Sequence, residues 1–196
     1  MNFSVDLPEW AQEELKSLAG KAYDTLEARM QPVIRFSRLN FEHGTGGPFA
    51  AGIYERDTGK LLVIGVNRVV PENMSSAHAE VVALSVAQNM LNTFDLGGEG
   101  LPAYQLVVNW RPCAMCYGAL PWSGIRSLVI AGSSDELETL TGFDEGPIHP
   151  DWKTELEKRG IDVTDGILNA EAIEVFRDFA NSDRLVYNGR SGDSPS

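Results

Sequence analysis

The sequence is short of cysteine, of histidine and of positive charge. Two cysteines and three histidines stand among 196 residues, so no disulfide framework can hold the fold and a packed core must do so. At 43% hydrophobic, a chain of this length can bury one sizeable core unaided. A single globular domain over 1–188, with a polar tail over 189–196, is expected. Lys and Arg number 16 against 28 Asp and Glu, a formal charge of −12. That balance disfavours partners held mainly through phosphates, nucleic acids among them. No apolar run approaches bilayer-spanning length, and the opening MNFSVDLPEWAQEELKSLAG lacks a basic stretch followed by an apolar one. A soluble cytoplasmic protein with no membrane partner is expected, and small or neutral ligands suit it best.

What is present alternates between helical and extended patterns, the mark of an α/β sandwich. A first helix is expected after Asp6 and Pro8, with Ala11, Leu15, Leu18, Ala22 and Leu26 on one stripe. A second has Pro32 in its first turn and Met30, Val33, Ile34 and Phe41 on one face. Ala50 to Arg56 and Leu61 to Val66 read as an antiparallel hairpin closed by DTGK. From about Ser76 to Leu91 a helix follows, apolar nearly all round and so expected to lie buried on the sheet. A strand at Tyr104 to Val108, a helix at Cys113 to Leu120 entered through Pro112, and a strand at Ser127 to Ala131 imply a parallel crossover. TGFDEGPIHPDW reads as loop, followed by a helix near Trp152 to Arg159, a strand near Ile161 to Thr164 and a helix carrying Ile173, Phe176, Phe179 and Ala180.

Both cysteines lie three positions apart in NWRPCAMCYGAL (Asn109 to Leu120), beyond a His-x-Glu in SAHAEVVAL (Ser76 to Leu84). In a chain without disulfides, Cys-x-x-Cys marks a metal site or a redox pair. Each motif sits where a helix begins, and the positive end of a helix favours thiolates there. Cys113 and Cys116 with His78 make a Cys2His set for Zn2+, and three protein ligands leave a fourth position open for water, as in a catalytic site. Glu80 is then placed to take a proton from that water and return it to a ring nitrogen.

His-Ala-Glu followed by Pro-Cys-Ala-Met-Cys resembles the zinc deaminase signature, and the chain is similar to the cytidine deaminase superfamily. Within it the resemblance from Met30 to Asn188 is to the guanine deaminase branch. It rests on GGPFAA (Gly46 to Ala51), GVNRVV (Gly65 to Val70), AHAE, PCAMC, WSG (Trp122 to Gly124) and GFDEGP (Gly142 to Pro147). The resemblance implies a three-layer α/β/α sandwich on a mixed central sheet, and hydrolysis of guanine to xanthine and ammonia. It implies that Phe49 stacks on the purine, that Asn67 hydrogen-bonds its edge, and that Glu145 or Asp144 protonates the departing amine. Ala79, Trp110 and Tyr187 are further expected substrate contacts, and Trp122 can line the site with Trp110. It also implies a homodimer in which a C-terminal segment, here Tyr187 and Asn188, completes a neighbour's site. Arg111 stands where members of this family often carry Glu, and a change of accepted ring is expected from it.

Other readings compete. His43 or His149 could close a structural Cys2His2 site, and a catalytically silent zinc module could serve assembly alone. A deaminase of guanosine or of an aminotriazine such as ammeline fits the same motifs, as does a tRNA adenosine deaminase acting on a flipped base, although the acidic balance weighs against the last.

Overall fold

In a computed structural model the chain is described from residue 4 to residue 189. Its helices and strands run α1 (Glu9–Leu18), α2 (Leu26–Glu42), β1 (Ala50–Glu55), β2 (Leu61–Val66), α3 (Ala79–Met90), β3 (Tyr104–Val108), α4 (Ala114–Ser123), β4 (Ser127–Ile130), α5 (Glu136–Thr141), α6 (Trp152–Glu157), β5 (Asp162–Thr164) and α7 (Asn169–Ala180). The sheet order is β2-β1-β3-β4-β5. β1 pairs antiparallel with β2 and with β3, whereas β3, β4 and β5 run parallel. The sheet is therefore mixed.

Alternation along the strands makes it two-faced. Ala50, Tyr54, Ile64, Val66, Val107 and Val129 join the core under α1, α2, α5 and α7. Their neighbours Ala51, Ile53, Val63, Leu106, Val108, Leu128 and Ile130 join a second core under α3, α4 and α6. Two cores on two faces of one sheet are the expected three layers.

Three expectations are corrected. The first helix ends at Leu18 rather than running through Ala22 to Leu26, because Ala19 leaves helical geometry with ψ 138° and Gly20 then takes a left-handed φ of 80°. The backbone then turns onto the edge strand: Gly20 donates to the Leu61 carbonyl, Leu61 donates to that of Lys21, and Ala22 bridges Lys60. Pro32 lies inside α2, beyond its first turn, because Thr25 caps the helix further upstream by accepting from the Ala28 amide. The third helix starts at Ala79 with His78 as its N-cap, since residues from Pro71 to His78 are held in turns, with Ala77 donating to the Met74 carbonyl. α5 was not foreseen. The tail expected from residue 189 lies, apart from Gly189, outside the described residues.

Candidate active site

The cysteine and histidine motifs meet because both helices bearing them begin at the same end of the sheet. α4 follows β3, and Cys113 is its N-cap, its sulfur 3.5 Å from the Cys116 amide nitrogen that donates to it. α3 lies on β2 at close range because the sheet residue beneath it is Gly65. A Cβ there would lie 2.5 Å from the Ala83 nitrogen and 2.8 Å from the Ala79 oxygen. This approach brings His78 to the cysteines, with Nδ1 3.4 Å from Cys113 Sγ. One ligand atom from each of His78, Cys113 and Cys116 lies within 4.8 Å of the other two.

These donors fit zinc. Two sulfurs and one imidazole nitrogen are a soft set suited to it, and distances of this size surround a tetrahedral ion with metal–ligand bonds of about 2.0–2.3 Å. Their electrostatics agree. The Cys113 thiol is drawn down to about 4, by hydrogen bonding from Cys116 against the effect of burial, and by His78. Cys116 is pushed well above its ordinary range by its hydrogen bond to Cys113 and by burial. The pair shares a proton where a cation would neutralise two thiolates. Both cysteines are free. Neither His43, which caps α2 and stacks on Trp10, nor His149, which is exposed and accepts from the Asp151 amide, joins the cluster.

A cavity of about 480 Å³ opens over this cluster, lined in part by Phe49, Asn67, His78, Glu80, Glu145 and Tyr187. Ala79, Trp110, Arg111 and Asp144 also line it. Glu80, in the first turn of α3, is buried, and burial followed by the charge of Cys113 pushes its carboxyl up to about 7. Glu145 is half-buried, and burial with the charges of Cys113 and Glu80 pushes it up to about 8. Asp144 is exposed and occupied, its carboxylate accepting from the Gly146 amide at 2.9 Å. Asn67 uses Oδ1 to accept from the Gly47 and Val69 amides, while its Nδ2 is buried without a hydrogen-bond partner among the described residues. The Tyr187 hydroxyl is likewise buried without one among the described residues. Tyr187 packs on Phe143 and lines this chain's own cavity. Trp110 is buried, donating from Nε1 to the Ser134 carbonyl. Trp122, which sequence placed beside it, is 87% exposed and lines no part of this cavity.

Three contributors were not read from the sequence. Asn109 donates to the Pro48 carbonyl and accepts from the Ala50 amide, fixing the strand entry beside Phe49. Asn40 donates to the carbonyls of Gly47 and Asn67. Phe143 meets Phe49 edge-on with centroids 5.1 Å apart. Asn40 is a buried asparagine outside every quoted motif, Asn109 opens NWRPCAMCYGAL ahead of the residues that carry its chemistry, and Phe143 lies inside GFDEGP beside its two acids.

Residues 25–132 match the family model for the cytidine and deoxycytidylate deaminase zinc-binding region. The chain belongs to this deaminase family. Among solved structures it is similar to the guanine deaminase from Nitrosomonas europaea, at 44% identity and a TM-score of 0.87, covering 93% of this chain and 99% of that one. It is similar also to NE0047 solved in complex with 2,6-diaminopurine, at 45% identity and a TM-score of 0.87, covering 95% and 97%. The guanine deaminase of Bacillus subtilis is 31% identical over 140 residues, 70% of this chain and 85% of that protein. Within the deaminase family, then, the chain resembles members with purine ligands along nearly its whole length.

Proposed function

We propose that this protein hydrolyses guanine to xanthine and ammonia as a zinc-dependent deaminase. The observation that carries the reading is the convergence, about one cavity of purine-accommodating size, of the three-ligand cluster, the buried Glu80, the half-buried Glu145 and two polar groups without partners among the described residues. His78, Cys113 and Cys116 would hold zinc, which supplies Lewis acidity and lowers the pKa of a water to about 7.

The remaining work belongs to the chain. Phe49, Trp110 and Ala79 wall in a flat ring, and the free Nδ2 of Asn67 donates to an acceptor on its edge, with Tyr187 closing the far side. The carboxylate of Glu80 takes a proton from water as oxygen adds to the amino-bearing carbon, and delivers it to the adjacent ring nitrogen. A group poised near neutrality suits both halves of that transfer. An amide anion leaves poorly, so the carboxyl of Glu145 gives its proton to the amine. The C–N bond breaks with its electron pair on nitrogen, ammonia departs, and the added hydroxyl passes its proton to the Glu145 carboxylate as the carbonyl forms, which restores the donor. One water enters for each ammonia lost. Asp144, turned to the Gly146 amide, stands behind Glu145 in this role.

The reading extends to a homodimer in the cytoplasm, where free thiolates persist. An apolar exterior beside α3 and α4 supports self-association: Trp122 is 87%, Phe94 86% and Met90 55% exposed. The deciding experiment is ammonia release by the zinc-loaded protein on guanine, guanosine, adenine, cytosine, cytidine and ammeline. Guanine is expected to be turned over fastest, with xanthine formed in equal amount. A preference for guanosine or ammeline would overturn the substrate while leaving the deaminase.

A further inference from the structure

Arg111 precedes the Pro-Cys pair and lines the cavity, and its guanidinium is bonded to the segment that follows β4. Nη2 donates to Glu138 Oε1 at 2.7 Å, Nη1 to the Ser133 carbonyl at 3.0 Å, and the backbone amide to the Gly132 carbonyl at 2.9 Å. Asp135 lies further off, 3.8 Å from Nη1. The side chain is 11% exposed and Glu138 25%, so water screens the pair less than a surface bridge.

Glu138 sits in the middle of α5, a helix of six residues that ends at Gly142. The loop bearing Phe143, Asp144 and Glu145 leaves from that end. It returns to the metal loop directly, because the Ala114 amide donates to the Glu145 carbonyl at 2.9 Å. A Cβ on Gly146 would stand 3.2 Å from the Cβ of Ala114. The Glu145 loop is thus bounded by two ties to the same cysteine-bearing segment, one through its own backbone and one through α5.

We propose that Arg111, acting through Glu138, is a positioning residue for Glu145: it locks α5, and the loop α5 leads into, against the segment that carries Cys113. Its use in catalysis rests on the reading of Glu145 as proton donor given above. A helix this short has little stability of its own. Without Arg111 the Glu138 carboxylate is left half-buried and unpaired, α5 shifts toward water, and the donor loses its fixed approach to the amine. Small misplacements of a proton donor are costly to turnover and much less so to ring binding.

Two measurements test this. Hydrogen exchange on Arg111→Gln, followed at the amides of Ala114, Gly142 and Asp144, reads the position of the loop without any turnover. At least about tenfold faster exchange than in the parent is expected, with partial recovery in Arg111→Lys and similar loosening in Glu138→Gln. Unchanged protection at those amides would overturn the proposal, and Glu138→Gln keeps it open to test should Arg111→Gln fail to fold. The second is a double-mutant cycle in the zinc-loaded protein. Arg111→Gln is expected to lower kcat on guanine about tenfold with KM near the parent's, and to have little further effect in the Glu145→Gln background. Equal loss in both backgrounds would make Arg111 a residue of general stability, and a rise in KM alone would make it a contact to the ring. Either result overturns the proposal. If the parent protein releases no ammonia from guanine, the substrate reading fails, while the exchange result still decides whether Arg111 holds the loop.

Discussion

Asn67 accepts twice through its oxygen and leaves its nitrogen buried with no hydrogen-bond partner among the described residues. A buried donor without a partner is costly, so an arrangement that fixes one end of the amide and frees the other makes sense only where a ligand completes it. The two glutamates differ by the same kind of reasoning. Glu80 lies in the first turn of α3 beside the ligands, and Glu145 on the opposing loop. Replacing Glu80 by Gln keeps shape and removes the base; zinc content is expected to hold while kcat falls at least about a hundredfold, read by metal analysis and ammonia release. Glu145→Gln is expected to lower kcat strongly with a smaller change in KM, and Asp144→Asn to leave both near the parent. Loss in Asp144→Asn equal to that in Glu145→Gln would reassign the donor. For the metal, His78→Ala and Cys113→Ala should abolish zinc retention, and His43→Ala and His149→Ala should not. The zinc ligands and Glu80 were legible in the sequence because each motif is local: His-x-Glu and Cys-x-x-Cys need only a helix start to become geometry. Asn40 and Asn109 were not, because their partners are backbone groups up to 61 positions away and no spacing records such a contact.

At the scale of elements, the hairpin and the β3–α4–β4 crossover were readable because turn chemistry and apolar runs mark both ends. The boundary between α1 and α2 was not, since the apolar period runs on across residues 19 and 20, where Ala19 takes ψ 138° and Gly20 a left-handed φ. α5 escaped because six residues with two leucines carry too little periodicity, and what holds it is distant in sequence: Leu137 is buried in the core it shares with α7, and Glu138 accepts from Arg111. The placing of α3 depends on one missing side chain. An alanine at Gly65 would meet helix backbone, not a flexible side chain, so α3 must move, and with it His78 and Glu80. Gly65→Ala is therefore expected to destabilise the protein by about 1–3 kcal/mol, the usual cost of overpacking, and to lose zinc to a chelator faster than the parent. Gly118→Ala is the control: it lies within α4 with nothing within 4 Å of its added carbon, so a gain of about 0.5–1 kcal/mol is expected from helix propensity. Thermal denaturation and chelator competition on the two variants check the pair. Equal behaviour would mean that α3 is not seated by Gly65.

On the scale of the whole molecule, the sequence suggested that α3 is buried nearly all round, yet its outer side is not covered by the described residues. Ala79, Val82, Ala83, Leu84 and Ala87 are buried, while Val81 and Val86 are half-buried and Met90 is exposed. A groove between α3 and α4 runs past Val81, Leu84, Ala119 and Trp122, and the Gln88 side chain donates to the Phe94 carbonyl, tying that exposed ring to the same helix. An apolar pattern tells that a face is covered, not by what, so a face buried by a second chain and one buried by the sheet look alike in sequence. The proposed homodimer accounts for this face without a further partner, and a chain carrying −12 needs such apolar contact to overcome its own repulsion. Sedimentation equilibrium is expected to give about twice the 21.4 kDa chain mass. Trp122→Glu, which places a charge at the exposed centre of the groove and touches no residue of the cavity, is expected to shift the protein to monomer with its zinc retained. A parent that sediments as a monomer at tens of micromolar would sink the dimer, as would a Trp122→Glu protein that stays dimeric, since burying an unpaired carboxylate in an interface costs several kcal/mol.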